Sequence, residues 1–325
     1  MTLLRIGLLG AVSLIAVVSG AMPGALAQAA PYPTQTVKIV DPFSAGSISD
    51  ILARVVADKL SEMWHQPVIV ENKPGVAGTV SVGKSPADGY TLMVTSNGHT
   101  IIGALNKNVG VDPVKDFAGV SEIASVPLVL IVTPSLPAAN LQELIALAKA
   151  KPGTLNFTSA GLASSSYIAS EVFKQTAKID IVHVPYKGTP EQLTSLMRGD
   201  AQLSLAFLGT AVSFIQTGKV RALAMATPKR MASLPNIPTF AESGLPAFHY
   251  DSWFGMLAPA NTPAPLLKKI SADVATVLKM PDVQARWETL GAIPVSNTPE
   301  EFDAIIRSDT QRYGKVLRDA GVTPQ

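Results

Sequence analysis

The chain contains no cysteine. Disulfides, thiolate metal centres and a lipid-carrying cysteine behind a leader are therefore excluded. Histidine is scarce. His65, His99, His183 and His249 are scattered, and no H-E-x-x-H pair presents two imidazoles to one metal. Charge is nearly balanced, with 26 basic against 24 acidic side chains. The basic residues form no stripe interleaved with aromatics, so nucleic acid has no footprint here. Past residue 27 no run of 18 consecutive apolar residues occurs, and no later segment reads as a membrane span. The G-x-S-x-G elbow of many hydrolases is missing, as are internal repeats and low-complexity tracts.

What is present begins with an export signal. Arg5 precedes an apolar run over residues 6–18, and small residues then lead to Ala25-Leu26-Ala27, an A-x-A processing pattern. Residues 1–27 read as a signal peptide, leaving a mature, exported chain that starts at Gln28. That chain, roughly 300 residues, has room for two domains of ordinary size. Strand-like and helix-like patterns alternate along it. Residues 37–40, 68–70, 91–94, 128–132, 179–184, 202–207 and 220–226 read as strands. Asn140 with Glu143 signals the start of a helix whose apolar face is Leu141, Leu144, Ile145 and Ala148. Thr189 reads as an N-cap with Pro190 at N1 and Gln192 at N3. Thr298-Pro299-Glu300-Glu301 repeats the device before a helix ending near Asp319. Alternating strands and helices imply α/β sheets covered by helices, with ligands bound beyond the strand carboxyl ends.

The most telling loop is Pro42-Phe43-Ser44-Ala45-Gly46-Ser47-Ile48-Ser49-Asp50, between a predicted strand and an amphipathic helix over residues 51–60. Backbone N–H groups at a helix N-terminus point outward unpaired, so such a loop can cradle an anion without arginine or lysine. The construction recurs at Asn156-Phe157-Thr158-Ser159-Ala160-Gly161-Leu162-Ala163-Ser164-Ser165. Two cradles in one exported chain point to a carboxylate held between two lobes. The strands over 128–132 and 254–257 are expected to cross between them as a hinge. Lobe 1 would comprise residues 28–128 and 254–325, and lobe 2 residues 129–253.

Other motifs carry less. Gly78-Thr79-Val80-Ser81-Val82-Gly83-Lys84-Ser85 matches a phosphate-loop pattern. Pro86 follows Ser85 directly and disfavours the helix such a loop must enter, and no strand directly precedes Gly78. Tyr186 stands between a strand and a capped helix and is a candidate hydrogen-bond donor to a carboxylate, whereas Lys187 reads as a solvated charge. Trp253 and Phe254 fit a packed hinge.

The chain resembles the substrate-binding receptors of tripartite tricarboxylate transporters, the Bug family. The resemblance runs from Tyr32-Pro33 almost to the C-terminus. It is carried by Pro42-Phe43 with Gly46 and Asp50, by the segment from Gln66 to Gly75, and by Pro86-Ala87-Asp88-Gly89-Tyr90-Thr91-Leu92. Asp112-Pro113-Val114-Lys115-Asp116-Phe117, His183-Val184-Pro185-Tyr186-Lys187-Gly188 and the segment from Trp253 to Ala260 continue it in order. It implies a two-lobed type II periplasmic binding fold, each lobe a mixed, mainly parallel sheet flanked by helices. It also implies a small carboxylate as ligand, no chemistry on it, no cofactor and no metal. The expected partners are the membrane subunits of a transporter, and the receptor itself is expected to be a monomer. Three positions depart from the family's usual pattern. Ser47 follows Gly46 where a second glycine is usual. The segment between Pro74 and Pro86 is about one helical turn short, in line with 3.6 residues per turn. Ala206 stands where many relatives carry an acid, which favours a ligand without an ammonium group.

The expected ligand contacts are Phe43, Ser44, Ala45, Gly46 and Ser47 from one lobe, with Ser96 and Asn97 on the same side. Ser159, Ala160, Gly161, Ser164, Ser165 and Tyr186 face them from the other. Two rivals remain at this point. One is an exported α/β hydrolase, whose mark would be a serine and a histidine within hydrogen-bond reach. The other is a ligand sensor for a signalling protein. The export reading has a direct check. Intact mass or N-terminal sequencing of periplasmic protein should place the mature start at Gln28 or within two or three residues of it. Full-length cytoplasmic protein beginning at Met1 as the sole species would contradict it.

Overall fold

The computed structural model describes residues 32–324 apart from 163 and 187. The expected signal peptide, residues 1–27, and Lys187 lie outside the described residues.

Strand β1 (Val37–Asp41) is buried at every position but Lys38, as expected for a strand covered on both faces. A loop leads into α1 (Ile48–Trp64), and β2 (Val68–Asn72) returns parallel to β1. Next come α2 (Val76–Gly83) and β3 (Thr91–Ser96), which pairs with the other side of β1. A 3-10 turn, Asn97–Ile101, runs into the short α3 (Ile102–Leu105). Strand β4 (Phe117–Ser125) completes this stretch. The chain then passes to a second sheet. Its elements are β5 (Leu128–Val132), α4 (Leu141–Ala150), β6 (Asn156–Ser159), α5 (Ser165–Ala177), β7 (Val182–Pro185) and α6 (Thr189–Arg198). They continue with β8 (Leu203–Phe207), α7 (Leu208–Gln216) and β9 (Arg221–Met225). After a long irregular connection the chain rejoins the first sheet with β10 (Trp253–Pro259), α8 (Ala264–Val277), α9 (Pro281–Thr289), β11 (Ile293–Pro294) and α10 (Pro299–Asp319).

The first sheet has the order β11-β4-β10-β3-β1-β2 and the second β7-β6-β8-β5-β9. Both are mixed and helix-flanked, which bears out the α/β expectation. In the second sheet β5 alone runs against its neighbours. In the first, β10 and β11 do so. Strands β5 and β10 are thus reversed where the chain enters from the other sheet. Each lies wholly within one sheet. The passages between sheets are the segments before them, Val126-Pro127 and the stretch ending at Ser252. Those passages are tied together by Val126 N–H donating to the Ser252 carbonyl at 2.9 Å.

Side-chain caps start α1, α4, α5 and α10. Asn140 caps α4 by accepting from Glu143 N–H at 2.9 Å, and Thr298 forms a full capping box with Glu301. At α6 the cap differs from expectation. Gly188 is the N-cap, Thr189 is the first helical residue, and no side-chain cap forms. The phosphate-loop pattern is mostly α2 itself, with Lys84 as its C-cap, so its glycines lie inside or beside a helix rather than around an anion.

The core of the first sheet centres on Trp253, Phe302 and their neighbours. Phe302 meets Trp253 edge-on with ring centroids 5.0 Å apart. A Cβ on Gly255 would lie 2.2 Å from the Phe302 ring, so α10 packs on bare backbone there. The two halves also touch through main chain. A Cβ on Gly209 in α7 would lie 2.0 Å from the Leu290 carbonyl oxygen at the end of α9. Phe302→Ala should cost about 3–5 kcal/mol of unfolding free energy, the usual range for a buried phenylalanine. Urea denaturation measures it, and a loss below about 1 kcal/mol would mean that this contact does not organise the core.

Candidate functional site

The first cradle is the loop between β1 and α1. Ser44, Ala45 and Gly46 are exposed, while Phe43 and Ser47 are half-buried. Gly46 has φ +79°, a left-handed conformation that glycine adopts without strain. Its N–H donates to Asp50 Oδ2 at 2.9 Å, and Ser47 N–H donates to the Ser44 carbonyl at 3.1 Å. Ser47 Oγ caps α1 by accepting from Asp50 N–H at 3.2 Å. Two expected ligand donors are therefore used inside the loop. The N–H groups of Ile48 and Ser49, in the first turn of α1, meet no acceptor among the described residues.

Beneath the loop lies a polar cluster that sequence reasoning missed. Asn72 Nδ2 donates to Asp50 Oδ1 at 2.9 Å and approaches Asp41 Oδ2 and the Phe43 carbonyl, each at 3.3 Å. Arg54 contacts Asp50 Oδ1 at 2.9 Å and donates to Asn72 Oδ1. Burial works against the Asp50 carboxylate, but Arg54, the Gly46 N–H and Asn72 together hold it below the usual range. Asp41 is compensated less, by the Phe43 N–H at 3.2 Å and a 3.3 Å contact from Asn72. Burial pushes its carboxyl up to about 7. The one legible signal was a lone acid ending an apolar strand.

The second cradle connects β6 to α5. Ser159, Ser164 and Ser165 are buried, while Ala160 and Gly161 are half-buried. Ser164 Oγ caps α5 by accepting from Tyr167 N–H at 3.2 Å. It also donates to the Gly161 carbonyl at 2.6 Å, and Ala160 N–H donates to Ser166 Oγ at 3.1 Å. Tyr186 N–H donates to the Ser159 carbonyl at 3.0 Å, placing Tyr186 beside this loop. Tyr186 also lines a small cavity of about 290 Å³ along α6.

Ser96 and Asn97 are buried rather than open to a ligand. Ser96 Oγ accepts from Gly98 N–H at 3.2 Å and caps the 3-10 turn. Asn97 bridges the halves. Its Oδ1 accepts from Ser165 Oγ at 2.6 Å, and its Nδ2 donates to Tyr250 OH at 2.7 Å and to the Asp251 carbonyl at 2.9 Å. The structure thus pairs two expected site residues, Asn97 and Ser165, with each other.

A serine and a histidine do meet. Ser159 Oγ lies 2.7 Å from His183 Nε2. The geometry argues for a staple rather than a nucleophile. Ser159 is fully buried, and its hydroxyl also contacts the Gly161 carbonyl at 3.2 Å and accepts from Gly161 N–H at 3.3 Å. His183 is stacked on Phe157 and packed against Tyr167, and among the described residues no carboxylate orients it. Burial holds its imidazole down to about 4, so the ring is neutral at pH 7. Ala206 is buried in the apolar core with Val129, Leu193 and Leu196, so it gives no ground for excluding an ammonium ligand. No group of three potential metal ligands occurs among the described residues.

Comparison with known proteins places this geometry. Residues 52–322 match the family described as "Tripartite tricarboxylate transporter family receptor". Protein BugT of Bordetella pertussis is 32% identical over 295 residues, covering 89% of this chain and 90% of BugT. A structure from R. palustris, solved with adipate, superposes with a TM-score of 0.81 at 33% identity, covering 90% of this chain and 100% of that one. MatC from Rhodopseudomonas palustris, with bound malate, gives 0.78 at 30% identity, covering 88% and 100%.

The Asp41 carboxyl yields a pH test. Below pH 3.8 the folded and unfolded chains both hold its proton. Between there and about 7 only the folded chain does, so its contribution to stability falls as pH rises through that window. Asp41→Asn removes that contribution, worth at most about 1.4 kcal/mol per pH unit. Buried Glu122 and Asp309 are also raised by burial, to about 7 and about 6. They act alike in both proteins, so the difference between the two isolates Asp41. Unfolding curves at pH 4 to 7 that differ by a constant would refute the assignment.

Proposed function

The chain belongs to the tripartite tricarboxylate transporter receptor family, and from that membership we propose that it captures a small carboxylate between its two halves and delivers it to a membrane transporter. The observation that carries the ligand class is the matched pair of serine-capped helix N-termini, α1 at Ser47 and α5 at Ser164. Each follows the carboxyl end of a parallel strand, one in each sheet. Such termini stabilise anions through oriented N–H groups and the helix dipole. The relatives bound to adipate and malate carry carboxylates of the same chemistry.

In this reading the lobes meet close to the expected boundaries at 128/129 and 253/254; the hinges are Val126-Pro127 and the stretch ending at Ser252, so that Leu128 goes with lobe 2 and Trp253 with lobe 1. The loop over residues 43–47 and the loop over 159–165, with Tyr186, hold the ligand. Asn97 and Ser165 set the spacing of the halves instead of touching the solute. Export by cleavage after Ala27 delivers a monomeric receptor to the periplasm. Lobe closure requires the ligand to bind the closed arrangement better than the open one.

Thermal shift with adipate, malate and succinate tests the reading. A ligand at 100 times its Kd stabilises by about 2.7 kcal/mol and raises the melting temperature by a few degrees for a chain of this size. The acid should be recovered unchanged after long incubation. Ser47→Pro, which breaks the turn to Ser44 and the cap on Asp50, should weaken binding at least tenfold, about 1.4 kcal/mol. Consumption of the acid that stops in Ser159→Ala would instead make the Ser159–His183 pair catalytic.

A further inference from the structure

A cavity of about 860 Å³ is not lined by either cradle. The cradles follow β1 and β6, toward the β2 and β7 ends of their sheets. This cavity opens at the other ends. Its wall includes Ser125 at the end of β4, Ile293 in β11, Leu128 at the start of β5 and Met225 at the end of β9. The passage Val126-Pro127 and the stretch from Tyr250 to Ser252 also border it, and it shares no lining residue with the cradles.

Its chemistry is two-sided. Met225, Phe240 and Phe248 are buried in the wall, and Ile293 is an apolar side chain left 44% exposed. Phe240 and Phe248 stack with ring centroids 4.0 Å apart. The charged wall residues are Lys229, Arg230, Arg312 and Asp251, with His249 beside them. Arg230 is held by Glu242 at 2.8 Å, and Asp251 accepts from Ser125 Oγ at 2.7 Å. Arg312 donates to the His249 carbonyl and lies 5.4 Å from the Tyr313 ring. Lys229 has no ion pair among the described residues. The free balance is therefore positive. Ser252, another wall residue, is 3% exposed, and its buried hydroxyl has no hydrogen-bond partner among the described residues. Buried hydroxyls left unmet are costly and rare in folded proteins.

We infer that this cavity is a second ligand site, separate from the carboxylate cleft, that takes a small amphipathic anion: an aromatic or medium-chain acid whose apolar body lies against Ile293, Met231 and the edge of Phe248 while its head faces Lys229 and Arg312. Large apolar walls with a few convergent polar groups are the usual make-up of small-molecule sites.

Fluorescence titration of the folded mature chain with 8-anilinonaphthalene-1-sulfonate provides the test, with neutral N-phenyl-1-naphthylamine as the uncharged counterpart. One sulfonate should bind per chain. Ala241→Trp, at an exposed position on the wall, should weaken it at least tenfold by filling the cavity. Lys229→Glu should weaken it at least threefold and leave the neutral probe unchanged. Circular dichroism melts confirm that each variant is folded. Absence of saturable binding, binding indifferent to Ala241→Trp, or equal affinity for the neutral probe overturns the site. So does competitive displacement by an acid shown to bind the cradles. Failure of all acids in the thermal-shift screen with the sulfonate site intact would overturn the carboxylate reading alone.

Discussion

One buried amide organises the relation between the two halves. Asn97 has no exposed surface, and its side chain reaches Ser165 at the start of α5, the Tyr250 hydroxyl and the Asp251 carbonyl. The 3-10 turn after β3, a helix of the second sheet and the irregular connection before β10 are thereby joined at one point. Every bond is made by groups that would be costly to leave unmet, about 1–3 kcal/mol each. The capped end of α5 is held where β6 ends, and the loop over residues 43–47 is held by Asp50, Asn72 and Arg54. A receptor for an anion needs its two sets of donors at a fixed spacing. Here the spacing rests on a side chain that a ligand does not have to touch.

The first cradle must also solve an electrostatic problem, because two carboxyl groups lie under a loop assigned to an anion. They are handled differently. Asp50 keeps its charge and spends it on the Gly46 N–H, Asn72 and Arg54. Asp41, buried and met only by the Phe43 N–H and a long contact from Asn72, takes up a proton more readily. Neutralisation by partner and neutralisation by proton are the two available answers to a buried acid, and this loop uses both.

Features set by neighbouring residues were legible from sequence, and features set by distant ones were not. Asn140 and Thr298 bond within four residues of themselves, so their spacing alone announced the helices. The strand over 128–132 announced itself by five apolar residues in a row, all buried. Thr189 misled because Gly188, in extended backbone at φ 178°, already occupies the cap position. Strand β4 was missed because Gly119, Ser121 and Glu122 interrupt its apolar pattern, although all three are buried. The cradles were found as loops, yet the use of the Gly46 and Ser47 N–H groups depends on a cap geometry that sequence does not specify. Asn97 with Ser165, Ser159 with His183, and Asp41 with Asn72 join residues 68, 24 and 31 positions apart. A single sequence does not encode those meetings in any local pattern. Ala206 sits in β8, a strand buried at all five positions, and burial of that kind depends on what covers both faces rather than on the residue itself.

The approach of Gly209 to the end of α9 has a mechanical meaning. Most contacts between protein halves are made by side chains, which yield by changing rotamer and so absorb small displacements. At Gly209 main chain meets the Leu290 carbonyl and Gly291 with no side chain between them. Such a joint has no torsion to spend. A joint of this kind is stiffer than a side-chain contact of the same size.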